Sequence, residues 1–113
     1  MSKLNRTLME KWIVALRSGD YQQGTEALYC YDDDKNSESY CCLGVLQDIK
    51  PDIEKIEDDE FLDEDSLKEF LGIDAQDGFN QKQYAKWNDE GMPFPEIADK
   101  LETQWLKNAE DNT

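Results

Sequence analysis

Three sets of side chains in this sequence could do chemistry: thiols, carboxylates, and a short group of cationic, hydroxyl and amide residues. The thiols are Cys30 and the adjacent Cys41 and Cys42. Neighbouring cysteines bridge to each other only through a strained ring and a distorted peptide, and an odd total fits the reduced thiols of a cytosolic chain. Their spacing matches no standard thiolate metal site. The sequence contains no His, which removes the usual general base, the usual partner of a nucleophile and the commonest zinc ligand. Cysteine here reads first as a small apolar residue. No catalytic residue, metal ligand or cofactor is assigned, and the chain reads as a non-enzyme.

Carboxylates dominate the composition. The 113 residues hold 27 Asp and Glu against 12 Lys and Arg, a formal net charge of -15. The charge is uneven. Residues 1–20 carry Lys3, Arg6, Lys11 and Arg17 against Glu10 and Asp20, a net +2, so the remainder carries -17. Affinity for phosphate polymers rests on cations that release condensed counterions, so this balance argues against direct binding of nucleic acid or an anionic membrane and for a basic protein partner. Residues 51–65 form the densest block, with nine acids and only Lys55 to offset them. Within it Glu54, Glu57, Asp58, Asp59, Glu60, Asp63, Glu64 and Asp65 are the candidate partner-binding face. The plainer alternative is a solvated, solubilising loop. Ile53, Ile56, Phe61 and Leu62 interrupt the block and are expected to pin it to the core. A calcium loop is suggested by the alternation of Asp32, Asp34 and Asn36, but Ser37 stands where the sharp turn needs Gly and Leu43 where a bidentate Glu is required.

The third set is Arg17, Ser18, Tyr21, Gln23 and Tyr40, which offers a cation, hydroxyls, an amide and stacking faces and is the candidate ligand site of an alternative reading, a module that binds or sequesters a nucleotide. Structural roles compete with it: Arg17 suits the negative end of a helix dipole, and Tyr21 and Tyr40 suit a half-buried core.

The elements that must position these residues follow from periodicity. Leu4, Leu8, Trp12, Ala15 and Leu16 recur at helical spacing, with Asn5 as N-cap and Gly19 as the stop. Residues from Ala27 to Tyr31 and Tyr40 read as a short hairpin across a polar loop. Tyr40 to Asp48 is the longest stretch almost free of charge. It reads as a central helix capped by Ser39, with Gly44 marking a close approach of another group and Pro51 forcing the end near Lys50. Further helices are expected from Asp65 or Ser66 to Leu71, from Asn80 to Asn88, and from Phe94 through Trp105. The fold class is α+β, mainly α: a small single domain over residues 1–107, with four to five helices around the central apolar helix, one hairpin, an acidic surface segment at 51–65 and a frayed end at 108–113. The last two helices have the outline of a helix-turn-helix, but no basic recognition helix follows. With no signal peptide and no apolar stretch long enough to span a bilayer, a cytosolic location is expected.

Lys11-Trp12, Ala15-Leu16-Arg17-Ser18-Gly19, Tyr21, Gln23, Tyr40-Cys41-Cys42-Leu43-Gly44-Val45-Leu46 and Asp48, followed by Leu71-Gly72-Ile73, Trp87-Asn88-Asp89-Glu90-Gly91, Phe94 and Glu96-Ile97-Ala98-Asp99, resemble a family of small uncharacterised proteins of tailed bacteriophages and prophages with a Y-C-C-L-G-V-L motif. The sequence departs from that pattern at Gln47, where relatives carry another Cys, and in the density of its acidic block. The resemblance implies a phage-encoded protein acting in the bacterial host cytoplasm. The expectation from charge is a non-catalytic inhibitor that docks its acidic face on a basic host protein of defence or nucleic-acid processing, in the manner of a DNA mimic.

Overall fold

A computed structural model of the chain describes residues 4–24, 28–34, 36–54, 61–73 and 75–107. Among them, in chain order, come helix α1 (Arg6–Ser18), strands β1 (Tyr29–Asp32) and β2 (Ser37–Tyr40), and helices α2 (Cys42–Ile49), α3 (Glu64–Phe70), α4 (Gln81–Asp89) and α5 (Phe94–Leu101). A 3-10 turn (Ala75–Asp77) precedes α4, and α5 runs on into a π-helical segment (Glu102–Lys107). This is the α+β, mainly α architecture expected from the sequence. The expected frayed end, residues 108–113, lies outside the described residues.

Local signals set most helix ends. Asn5 caps α1, its Oδ1 accepting from the Leu8 N–H at 3.1 Å, and Gly19 closes the helix at φ +80°, where a side chain would be strained. Lys50 takes φ -137° and ψ +79° ahead of Pro51, because the proline ring excludes the helical conformation from the residue before it. Two expected caps differ. Ser39 lies within β2, and Cys41 stands at the N-cap of α2 without a side-chain cap bond. Asp63, rather than Asp65 or Ser66, opens α3 by accepting from the Ser66 N–H at 3.0 Å.

The core is built around α2, in which five consecutive residues, Cys42 to Leu46, are buried. Helix α1 packs on α5 and on α2, and α4 covers α2 from another side. Trp12 of α1 is wholly buried and donates its indole N–H to the Cys42 carbonyl at 2.8 Å. Phe79 meets Trp12 and Tyr84 at ring-centroid distances of 5.8 and 5.1 Å. Burying side chains of this size contributes roughly 1.5 to 3 kcal/mol each before conformational entropy is subtracted. Ile53 and Leu62 are buried and Phe61 is partly buried, so both described ends of the acidic block are pinned as expected; Ile56 lies outside the described residues. At the end of α5 the buried residue after Leu101 is Leu106, and Trp105, expected to point inward, is only partly buried. The wider i to i+5 turn of a π-helix accounts for that change of phase.

The hairpin is antiparallel, pairing Tyr29 with Tyr40 and Tyr31 with Glu38. The segment before it meets the end of β2 through an isolated bridge, Gly24 donating to the Tyr40 carbonyl at 2.7 Å and Tyr40 to the Gln22 carbonyl at 2.8 Å. The expected close approach at Gly44 is present: a Cβ there would stand 1.7 Å from the Leu28 carbonyl oxygen. Alanine at position 44 gains about 1 kcal/mol of helix propensity, but the methyl group has to displace backbone. Gly44→Ala is therefore expected to destabilise the chain by about 3 kcal/mol, the upper end for overpacking, as measured by urea denaturation.

Candidate functional site

The acidic segment reaches the described structure at both ends. Glu54 is exposed, and its carbonyl accepts from the Asp63 N–H at 2.8 Å. Asp63 is held as the cap of α3. Glu64 accepts from the Gln81 side-chain amide and from the Ala75 N–H, both at 3.3 Å, and Asp65 is exposed. Glu57, Asp58, Asp59 and Glu60 lie outside the described residues. Carboxylates in the first turn of α3 also face the positive end of its dipole. Asp63 and Glu64 are thus engaged locally, while Glu54 and Asp65 present their charge to solvent.

Gln81 fixes this arrangement. It is buried, and its side-chain amide mimics a strand partner for Leu62: Nε2 donates to the Leu62 carbonyl at 2.9 Å and Oε1 accepts from the Leu62 N–H at 2.7 Å. Beside it lies a hollow of about 630 Å³, with Phe61 and Leu62 in its wall and Asp63, Glu64, Asp65 and Lys82 among its lining groups.

The second candidate set divides. The Arg17 guanidinium reaches Asp99 of α5 at 2.6 Å and Glu102 just after it at 3.3 Å, and those two carboxylates, Glu102 first, hold its pKa above the usual value. Ser18 turns back on its own helix, donating to the Ala15 carbonyl at 2.6 Å and accepting from the Asp20 N–H at 3.1 Å. Tyr21, Gln23 and Tyr40 do come together. The rings of Tyr21 and Tyr40 meet edge to face at 5.0 Å, and Tyr40 also meets Tyr29 at 5.2 Å. Gln23 bridges to Tyr40 through the backbone and donates its amide to Asn88 Oδ1 at 3.0 Å and to the Met92 carbonyl at 2.6 Å. Asn88 is wholly buried and donates in turn to the Gly24 carbonyl at 2.6 Å.

Tyr21 donates its hydroxyl to Asp48 Oδ2 at 2.6 Å. Burial first, and then this carboxylate, push the phenol up to about 12. The buried thiols of Cys41 and Cys42 are raised by desolvation, Cys42 well above the ordinary range, which leaves them poor nucleophiles at neutral pH. Among the described residues no group of three or more Cys, Asp or Glu is placed to hold a metal ion, and no helix is long and apolar enough to cross a membrane.

The family model described as a domain of unknown function, DUF8296, matches residues 4–70, from the start of α1 to the end of α3. The chain belongs to the DUF8296 family. No curated protein and no solved structure matches it. Every residue of both candidate sets falls inside the DUF8296 segment, whereas Gln81, Asn88, Asp99 and Glu102, which hold several of them in place, come from the α4 and α5 region beyond it. Sequence reasoning missed Gln81 and Asn88, because a buried amide has no periodic signature. It also passed over Tyr29, Tyr31 and Glu38, whose shared face is legible only once the hairpin register is known.

Replacing Gln81 with Leu keeps the volume but strands both backbone groups of Leu62, a cost of about 2 kcal/mol; urea denaturation is expected to register a loss of that size. A phenol that ionises near 10 when unfolded and near 12 when folded stabilises the fold fully below pH 10 and loses that contribution as pH rises towards 12. The denaturation midpoint is expected to fall across that window, less steeply in Tyr21→Phe, with the last phenolate absorbance step at 295 nm missing from the variant.

Proposed function

We propose that this chain is a non-catalytic interaction protein, phage-encoded and acting in the host bacterial cytoplasm, that occupies a basic site on a host defence or nucleic-acid-processing protein in place of the phosphates of DNA. The observation that carries this reading is charge: a net -15, with nine acids in residues 51–65 on a segment anchored to the core by Ile53 and Leu62. Anchoring matters because it fixes the position of the described ends of the segment, with Glu54, Asp63, Glu64 and Asp65, as a free tail would not. The outward setting of Glu54 and Asp65 adds support. Two cations are also paired within the chain: Arg17 with Asp99 and Glu102, and Lys50 with Asp52 at 3.1 Å. Complementary charge of this kind accelerates association and weakens with salt.

A nucleotide module around Arg17, Ser18, Tyr21, Gln23 and Tyr40 draws less support, because a phosphate arriving at Arg17 has to displace two carboxylates, and one arriving at Tyr21 meets Asp48.

The test is affinity capture from bacterial lysate at low and then high salt, with the wild-type chain and a variant carrying Glu54→Lys, Asp58→Lys, Asp59→Lys and Asp65→Lys. A basic protein captured at low salt, released at high salt and lost from the variant is the expected result, with circular dichroism unchanged. Equal capture by the variant overturns the reading.

A further inference from the structure

One face of the hairpin is made of tyrosines. Side chains alternate across a strand, so the register that pairs Tyr29 with Tyr40 and Tyr31 with Glu38 puts these four on the same side. Tyr21 packs edge-on against Tyr40 and extends the face. Among the described residues the exposed large apolar side chains are Val14, Tyr29 and Tyr31, so two of the three lie on this patch, with 43% and 45% of their surface in solvent. Rings left open in this way, backed by packed ones, are the composition of interface anchors.

The patch is held in advance of any partner. Tyr40 is wedged between Tyr21 and Tyr29, Tyr21 is tied to Asp48, and Tyr31 donates its hydroxyl to Asn36. Little side-chain entropy remains to be lost on binding.

Its electrostatics select the partner. Ring faces carry negative quadrupole potential, and carboxylates stand at the edge: Asp48 at Tyr21, and Glu38 beside the hydroxyls of Tyr29 and Tyr40. After burial, these carboxylates are among the causes that raise all three phenols, so the potential there is negative. A phosphate chain is repelled, and so is a second copy of a chain with net charge -15. A cation is attracted. Rings in this fold already hold ammonium groups elsewhere, Lys50 over Phe70 at 5.1 Å and Lys100 over Trp87 at 5.4 Å. Guanidinium fits the present site better, since its plane stacks on a ring while its edge bonds a carboxylate.

We propose that the tyrosine face of the hairpin is a second docking surface, on which an arginine-bearing segment of a basic protein lies against Tyr29, Tyr31 and Tyr40 between the carboxylates of Glu38 and Asp48. The proposal rests on the reading that the partner is basic and adds a site remote in sequence from the 51–65 block.

The probes are hexa-arginine and hexa-lysine peptides, titrated into the full chain at low salt by calorimetry with NMR in parallel. Hexa-arginine is expected to bind about fivefold more tightly than hexa-lysine and to shift the ring protons of Tyr29 and Tyr31. The variant Tyr29→Leu/Tyr31→Leu is expected to lose about fivefold for hexa-arginine and little for hexa-lysine. Glu38→Gln, which leaves every ring in place, is expected to lose about twofold to threefold. Wild-type affinity in both variants, with unmoved ring protons, overturns this proposal and leaves the acidic-block reading standing. Failure of both peptides to bind the wild type overturns both. Self-association that the double leucine variant abolishes names a second copy as the occupant and likewise overturns it.

Discussion

The contact on which the structure depends is the meeting of α2 with the backbone just before the hairpin. The Leu28 carbonyl accepts from the Cys41 N–H at 3.2 Å and lies where any side chain at position 44 would have to stand. Only glycine lets the helix come so near. That approach buries Leu28 against the central helix and sets the angle at which β1 and β2 leave the core. The presentation of Tyr29, Tyr31 and Tyr40 follows from it. A residue unfavourable to helix formation by about 1 kcal/mol thus stands in the buried body of α2 for a steric reason.

Two buried amides carry the next level of order, and both act across long separations. Gln81 on α4 supplies Leu62 with the hydrogen bonds a neighbouring strand would have made, and Asn88, about two turns further along the same helix, ties down the segment at Gln23 and Gly24. A buried polar group left without partners is costly, so each amide specifies one position for the backbone it serves. The DUF8296 segment, residues 4–70, therefore takes part of its geometry from residues beyond its end.

Charge and packing are divided between different parts of the chain. None of the described acids of 51–65 is buried, yet Ile53 and Leu62 bring both described ends of that segment to the core, while the two carboxylates on the α5 side are used to hold Arg17. Local neutralisation of cations leaves the excess of carboxylates to dominate the field outside. Charge and exposed aromatic surface are thus carried by different residues.

The sequence by itself determined what depends on near neighbours. Asn5 as a cap, Gly19 as a stop, Pro51 as a limit and the helical spacing of Leu8, Trp12 and Leu16 are governed by bonds and sterics within a few residues, and all appear where periodicity and residue type place them. Gly44 was legible as a close approach, though not as an approach to Leu28. Tertiary structure alone decided matters set by partners far along the chain: Arg17 taken by Asp99 and Glu102, the burial of Leu106 beside a half-buried Trp105, the reach of Gln81 and Asn88, and the gathering of Tyr21, Tyr29, Tyr31 and Tyr40 on one face. Such contacts depend on the relative positions of whole elements, which are fixed by the sum of packing over the core and leave no mark in the local order of residues.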